Sequence, residues 1–246
     1  MAESNGAVKT HRKAYLPLES NPQVFTQLIN NLGVTALEFQ DVFSVDEPEL
    51  LAMVSRPVYA LVLVFPTTPM YEEQIAKEEA TRDSYTGSGA GEDVIWFEQT
   101  IYNACGLYGI LHSVSNGDAA NFIEPGSALA RLLATCVPLA PHERALALEA
   151  SEELEIAHAT AGVQGDTAAP ASAEDVVDYH YVAFIKSKSG HIYEMDGCKK
   201  GPVNRGAVLS ADEDILSESA LKFVREYIHR EKDGNVNFSL MALVRA

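Results

Sequence analysis

Tyr179-His180-Tyr181-Val182-Ala183-Phe184-Ile185, followed by Lys188-Ser189-Gly190 and then His191-Ile192-Tyr193-Glu194-Met195-Asp196, is the stretch that decides the fold. Aromatic and β-branched residues flank a short polar turn that ends in glycine, which is the pattern of a β-hairpin. A three-residue loop with Gly190 in the left-handed conformation sets Ser187 opposite His191. Asp196 then lies across from Val182, on the same face as His180 and diagonal to it. Register alone therefore predicts an imidazole beside a carboxylate.

Val58 to Phe65 is an unbroken apolar run between Pro57 and Pro66, the length of a buried strand and too short to cross a bilayer. Asn21-Pro22 starts a helix with Val24, Phe25, Leu28, Ile29 and Leu32 on one face, stopped by Gly33. Glu47 to Val54 reads as a shorter helix. Tyr71 to Asp93 is charged and ends in a small-residue patch, which reads as a surface connection. Its glycines lack a preceding strand and a closing Lys-Ser/Thr, so they do not form a phosphate loop.

Leu107, Ile110, Leu111 and Val114 predict a helix starting near Asn103 or Ala104 and ending at Asn116-Gly117. Further helices follow from a Ser127 cap to Pro138 and from Pro141. Ser151 to Asp178 turns acidic and then rich in small residues, and is expected to be one long functional loop within the domain. A last helix carries Leu221, Val224 and Ile228, and Val236 to Val244 closes the chain as a strand. The expected fold class is α+β, a mostly antiparallel sheet flanked by helices, as a single domain over residues 1–246 behind a polar tail at 1–13.

The chain has 246 residues, 47% of them hydrophobic, and a formal charge of −17. Such an acidic chain would be repelled by phosphate backbones and anionic lipid, so neither nucleic acid nor a membrane is an expected partner. The N-terminus lacks an apolar secretory stretch, which places the protein in a reducing compartment, the cytoplasm or also the nucleus. No Cys or His pair has zinc-site spacing, so neither a metal nor another cofactor is expected.

Cys105 falls in the first turn of its helix, where the positive dipole end favours a thiolate, and a neighbouring imidazole would favour it further. Gln99, just outside that helix, offers an uncharged amide beside the Cys105 N–H for a developing oxyanion. The blander readings are a small buried cysteine, a satisfied core histidine at 180 and a turn aspartate at 196. The four residues together outweigh them. Cys136 on an apolar stripe and Cys198 after Asp196-Gly197 read as structural or incidental. His112 lies on the polar side of its helix, and the remaining histidines, His158 and His191 among them, read as surface or packing residues.

Gln99-Thr100-Ile101-Tyr102-Asn103-Ala104-Cys105-Gly106 closely resembles the active-site segment of ubiquitin C-terminal hydrolases. Leu16-Pro17-Leu18-Glu19, Pro48-Glu49-Leu50-Leu51, Arg56-Pro57-Val58, the His180 strand and Tyr193-Glu194-Met195-Asp196-Gly197 extend the resemblance along nearly the whole chain. It implies a papain-like cysteine hydrolase with a knotted backbone, in which Cys105 is the nucleophile, His180 the general base and acid, Asp196 its orienter and Gln99 the oxyanion donor. It also implies ubiquitin as substrate, with Leu16, Pro17, Glu19 and Asp41 near its Arg-bearing tail and residues 151–178 as a crossover loop above the cleft. Two alternatives stay open: a hydrolase of another modifier such as Nedd8, and a ubiquitin-binding protein that turns over slowly. A monomer is expected. Leu107 departs from the family pattern, where a small or polar residue is usual, and should affect helix packing more than chemistry.

Overall fold

The computed structural model describes residues 12–167, 170–230 and 237–246. Along the chain the elements are β1 (Lys13–Ala14), α1 (Pro22–Asn31), β2 (Leu37–Asp41), α2 (Pro48–Leu51), β3 (Ala60–Pro66), α3 (Pro69–Ala80), β4 (Ile101–Tyr102) and α4 (Cys105–Val114). After a 3-10 turn come α5 (Ala128–Cys136), α6 (Pro141–Glu149), α7 (Glu152–Gly162), β5 (Tyr179–Lys186), β6 (His191–Met195), β7 (Val203–Val208), α8 (Glu218–Arg230) and β8 (Ser239–Arg245). Among the described residues six strands form an antiparallel sheet in the order β2-β8-β3-β5-β6-β7, and β1 pairs in parallel with β4. No helix among them is long and apolar enough to cross a membrane.

The central strand explains the unbroken apolar run. Side chains alternate across a sheet, so Ala60, Val62 and Val64 enter one core with α1 and α4 while Leu61, Leu63 and Phe65 enter a second core with α8. With both faces covered, polar residues have no place in β3. Val58, expected within the strand, instead donates its N–H to Asp214 Oδ2 at 2.9 Å before the ladder begins.

The hairpin register is the expected one. Ala183 faces Met195, Ile185 faces Tyr193 and Lys186 faces Ile192, and Ser187 N–H donates to the His191 carbonyl at 2.9 Å. Gly190 has φ +85°, as the turn requires. The α1 cap is also as read, with the Asn21 side chain accepting from the N–H groups of Gln23 and Val24. Gly33 closes that helix at φ +90°, where a Cβ would sit 2.2 Å from Ser127 Cβ.

Several expectations are corrected. The charged stretch from Tyr71 begins as helix: α3 starts at Pro69 after a Thr68 cap, and buries only Tyr71. Its helical state rests on propensity and capping rather than on an apolar face. Residues 151–178 are not one loop, because Ser151 caps α7 and only residues 163–178 connect it to β5. The buried face of α7 is Leu154, Ala157, His158 and Ala161, too weakly apolar to register as a helical stripe. The helix expected over Glu47 to Val54 shrinks to Pro48–Leu51. Strands β2 and β7, which were not foreseen, sit at the two edges of the sheet. Of the closing strand, Val236 lies outside the described residues. Leu107 is fully buried in α4 and serves the core, as a packing role implies.

His112 is not on a polar face. It is fully buried, and its Nε2 accepts from the Phe97 N–H at 3.0 Å. His158 is buried too, its ring 4.7 Å from that of Tyr15 and its Nε2 without a partner. Burial pushes the pKa of each down to about 4. A folded pKa below the unfolded one adds stability at pH above the unfolded value of about 6.5 and loses it as pH falls toward the folded value. We therefore expect His158→Phe to raise thermal stability, and by on the order of 2 kcal/mol more at pH 5 than at pH 7.5. Equal gains at both pH values by differential scanning calorimetry would show that His158 is not held neutral.

Candidate active site

Cys105 opens α4, with Ala104 as the residue before it and no side chain capping that end. The N–H groups of the first turn therefore point into the space around its sulfur, where negative charge is favoured. Asn103 has φ +55°, the sole left-handed non-glycine residue among those described. Asparagine tolerates that conformation better than most residues. Its Nδ2 donates to the carbonyls of Ala173 at 2.9 Å and Asp175 at 2.8 Å, tying the 163–178 loop to the start of α4.

The hairpin supplies the second and third residues. His180 is at the start of β5 and Asp196 directly follows β6, and His180 Nε2 lies 2.9 Å from Asp196 Oδ1. Both are buried. The ring of Phe65, its strand neighbour on β3, meets the imidazole edge to face at 5.9 Å. Burial opposes charge on His180, but the Asp196 carboxylate, then Cys198, and hydrogen-bonding interactions with Asp196 and Cys105 outweigh it and hold the imidazolium well above the ordinary histidine pKa. Burial likewise opposes charge on Asp196, yet His180 and Lys199 keep its carboxyl below the usual range. The pair is thus a charged one. With Nε2 engaged by the carboxylate, Nδ1 is the ring nitrogen left for the thiol.

Gln99 is held by its backbone, which donates to the Gly197 carbonyl at 2.8 Å. Gly197 permits that approach, since a Cβ there would stand 2.8 Å from Gln99 Cβ and 3.1 Å from its N. The Gln99 side chain donates through Nε2 to the Ile101 carbonyl at 3.3 Å, which uses one of its two amide hydrogens. Oε1 is buried without a partner. The preceding segment is irregular, and side chains take the place of a ladder. Asn116 brackets Ile95 with bonds to its N–H and carbonyl, His112 accepts from Phe97, and Trp96 Nε1 donates to the Asp196 carbonyl at 3.0 Å.

A cleft of about 490 Å³ lies in front of Cys105. Its walls include Pro17, Leu18 and Glu19 on one side and Gly165, Thr167 and Val177 of the loop on the other. Leu16 and Asp41 are not in the lining. Asp41 ends β2, exposed, with partial burial raising its carboxyl pKa. Glu19 does line the cleft, but Oε2 accepts from the Thr167 N–H at 2.8 Å and hydroxyl at 2.6 Å, bonds that lower its pKa. In this state the carboxylate holds the loop.

Sequence reasoning missed three participants. Asn103 as a loop tether could have been suspected from an asparagine placed before a helix start. His112 was hidden by its polar type. Cys198 lies close to the His180–Asp196 pair because its N–H donates to Asp196 Oδ1 at 2.8 Å, a turn geometry that spacing does not reveal.

Residues 15–229 match the family model for ubiquitin carboxyl-terminal hydrolase, family 1. The chain is 35% identical over 231 residues to ubiquitin carboxyl-terminal hydrolase isozyme L1 of Equus caballus, covering 94% of this chain and 98% of that protein. It is 37% identical over 234 residues to ubiquitin carboxyl-terminal hydrolase 3 of Arabidopsis thaliana, covering 94% of each. The fold matches the crystal structure of the Trichinella spiralis UCH37 catalytic domain bound to ubiquitin vinyl methyl ester, with a TM-score of 0.72 and 25% identity over 96% of this chain and 97% of that one. With sequence match and fold in agreement, the chain belongs to family 1 of the ubiquitin carboxyl-terminal hydrolases.

Proposed function

We propose that this protein is a cysteine-type deubiquitinase that releases small adducts and short peptides from the C-terminal glycine of ubiquitin. The observation that carries the reading is Cys105 at the start of α4, facing a cleft, beside a His180–Asp196 pair at 2.9 Å. The Cys105 thiolate attacks the glycine carbonyl carbon, and the electron pair moves to oxygen. The Cys105 N–H and the free amide hydrogen of Gln99 stabilise that oxyanion. His180, held charged by Asp196, gives its proton to the leaving amine and then takes one from the water that hydrolyses the thioester. Pro17, Leu18 and Glu19 border the path of the extended tail. Ubiquitin with a C-terminal electrophile should modify Cys105, and Cys105→Ala should lose turnover while ubiquitin affinity stays within about a few-fold, since tail contacts lie elsewhere. Labelling at Cys136 or Cys198 instead, located by mass spectrometry, would refute the assignment. The same assay run with Nedd8 and ubiquitin fluorogenic substrates in competition fixes the modifier.

Gln99→Ala should lower kcat by roughly 100-fold with little change in KM. A change confined to KM would reassign Gln99 to substrate positioning.

The loop supports a size limit on the leaving group. Residues 163–178 stretch at most about 53 Å at roughly 3.3 Å each. A folded domain of about 75 residues has a girth near 90 Å. The loop is therefore too short to pass over a folded leaving group, and Glu19 and Asn103 pin it further. Inserting about 15 Gly/Ser residues after Gln164 should confer cleavage between two folded ubiquitins and leave kcat on a small adduct nearly intact. Rapid cleavage of folded ubiquitin chains by the unmodified protein, seen on a gel, would mean that the loop is no gate.

A further inference from the structure

The active site contains a thiol that the reaction does not use. Among the described residues, donor atoms of His180, Asp196 and Cys198 all lie within 4.8 Å of one another. Cys198 is exposed while His180 and Asp196 are buried, so the trio runs from the surface to the catalytic imidazole. We propose that these three residues form an inhibitory binding site for a borderline-soft divalent cation, with Zn²⁺ the best match to the donor set.

One thiolate, one imidazole and one carboxylate suit Zn²⁺ and are poor ligands for Mg²⁺ or Ca²⁺, which prefer all-oxygen shells. At zinc bond lengths near 2.0–2.3 Å, tetrahedral donors sit about 3.5 Å apart. The widest gap the site has to close is then roughly 1.3 Å, within reach of a rotation about χ1 of Cys198. Two of the three ligands are already fixed. The Cys198 N–H binds Asp196 Oδ1 at 2.8 Å and Lys199 N–H binds the Asp196 carbonyl at 3.3 Å, so the turn cannot drift away from the pair. Lys199, whose charge acts on Asp196, is itself paired with buried Glu194. The fourth zinc position is left for water.

Binding replaces protons with metal. Zn²⁺ takes the Cys198 sulfur and the His180 nitrogen, and the thiol proton and the imidazolium proton leave to solvent. The Asp196 carboxylate becomes a ligand and ceases to orient the ring. With the metal on Nε2, the Asp196 side of the ring, only Nδ1–H remains, and giving that proton to the leaving amine would leave an imidazolate, so His180 no longer serves as acid and base and turnover stops without any change in Cys105 itself. The residues involved are separated by 16 and 2 positions, unlike any zinc-finger spacing, which is why the sequence gives no hint of the site.

The inhibitory consequence rests on the reading under Proposed function, but the metal site itself does not, and the two are tested apart. In the first arm, Co²⁺ is titrated into Cys105→Ala and into Cys105→Ala/Cys198→Ser. The expected result is sulfur-to-cobalt charge-transfer absorbance in the near ultraviolet for the first variant and none for the second. Cys136, the remaining thiol, is fully buried on α5 and does not contribute. Absence of that absorbance in Cys105→Ala would overturn the site whatever the enzyme's substrate. In the second arm, hydrolysis of a fluorogenic ubiquitin adduct is followed in metal-buffered Zn²⁺, each variant normalised to its own metal-free rate. Wild type should be inhibited and restored by chelator, and Cys198→Ser should need at least about tenfold more free Zn²⁺ for the same inhibition. Equal sensitivity of the two proteins would assign any inhibition to Cys105 and overturn the proposal.

Discussion

His180 and Asp196 meet at 2.9 Å because Ser187 faces His191 across the turn at Gly190. A strand slipped by one residue shows its other face, so one extra residue in that turn would send the carboxylate to the opposite side of the sheet. Burial guards the register. Tyr181, Ala183 and Ile185 pack toward α4, while Val182, Phe184 and Ile192 pack toward α8, and neither face could accept the other's set without leaving Glu194 or Lys186 stranded in apolar surroundings. The contact between imidazole and carboxylate thus depends on a pairing that the core enforces for its own reasons.

The turn after β6 is held with equal firmness from behind. Glu194 is completely buried and contacts Lys199, Arg205 at 3.0 Å and the Tyr227 hydroxyl at 2.7 Å. A buried carboxylate with several partners is tolerable, and deleting one partner strands charge at a cost of about 3–5 kcal/mol. Lys199 thereby links the α8 side of the protein to the loop that carries Gly197 and Cys198. Arg144 performs a similar service on the other side, fully buried and bound to Glu92 and to the carbonyls of Cys136 and Trp96. Two ionic anchors therefore flank the segments that deliver Gln99 and Asp196.

The hairpin, α1, α4 and α5 were legible because each carries a clean period and a recognisable stop, such as Asn21-Pro22 or Gly190. The places of Cys105, His180 and Asp196 were legible because hairpin register is integral and helix position is set by Leu107, Ile110, Leu111 and Val114. Elsewhere the signal was absent. Helix α7 buries alanines and a histidine, so its stripe looks like loop composition, and α3 has almost no buried stripe at all. His112 was misplaced on a polar face because side-chain type predicts exposure only on average, and inside the fold its ring accepts from the Phe97 N–H. Cys198 came near the imidazole through a turn bond, a contact with no sequence period behind it.

The tether at Asn103 has an evolutionary consequence. Both of its acceptors are backbone carbonyls, those of Ala173 and Asp175. Every residue type presents the same carbonyl, so the grip on the loop is indifferent to which side chains the loop displays. Substitutions along residues 170–178 can change what the loop offers to an incoming chain without releasing it from the start of α4, whereas a change in loop length alters the grip at once. Selectivity is in this way free to drift by composition while the architecture around Cys105 stays constant.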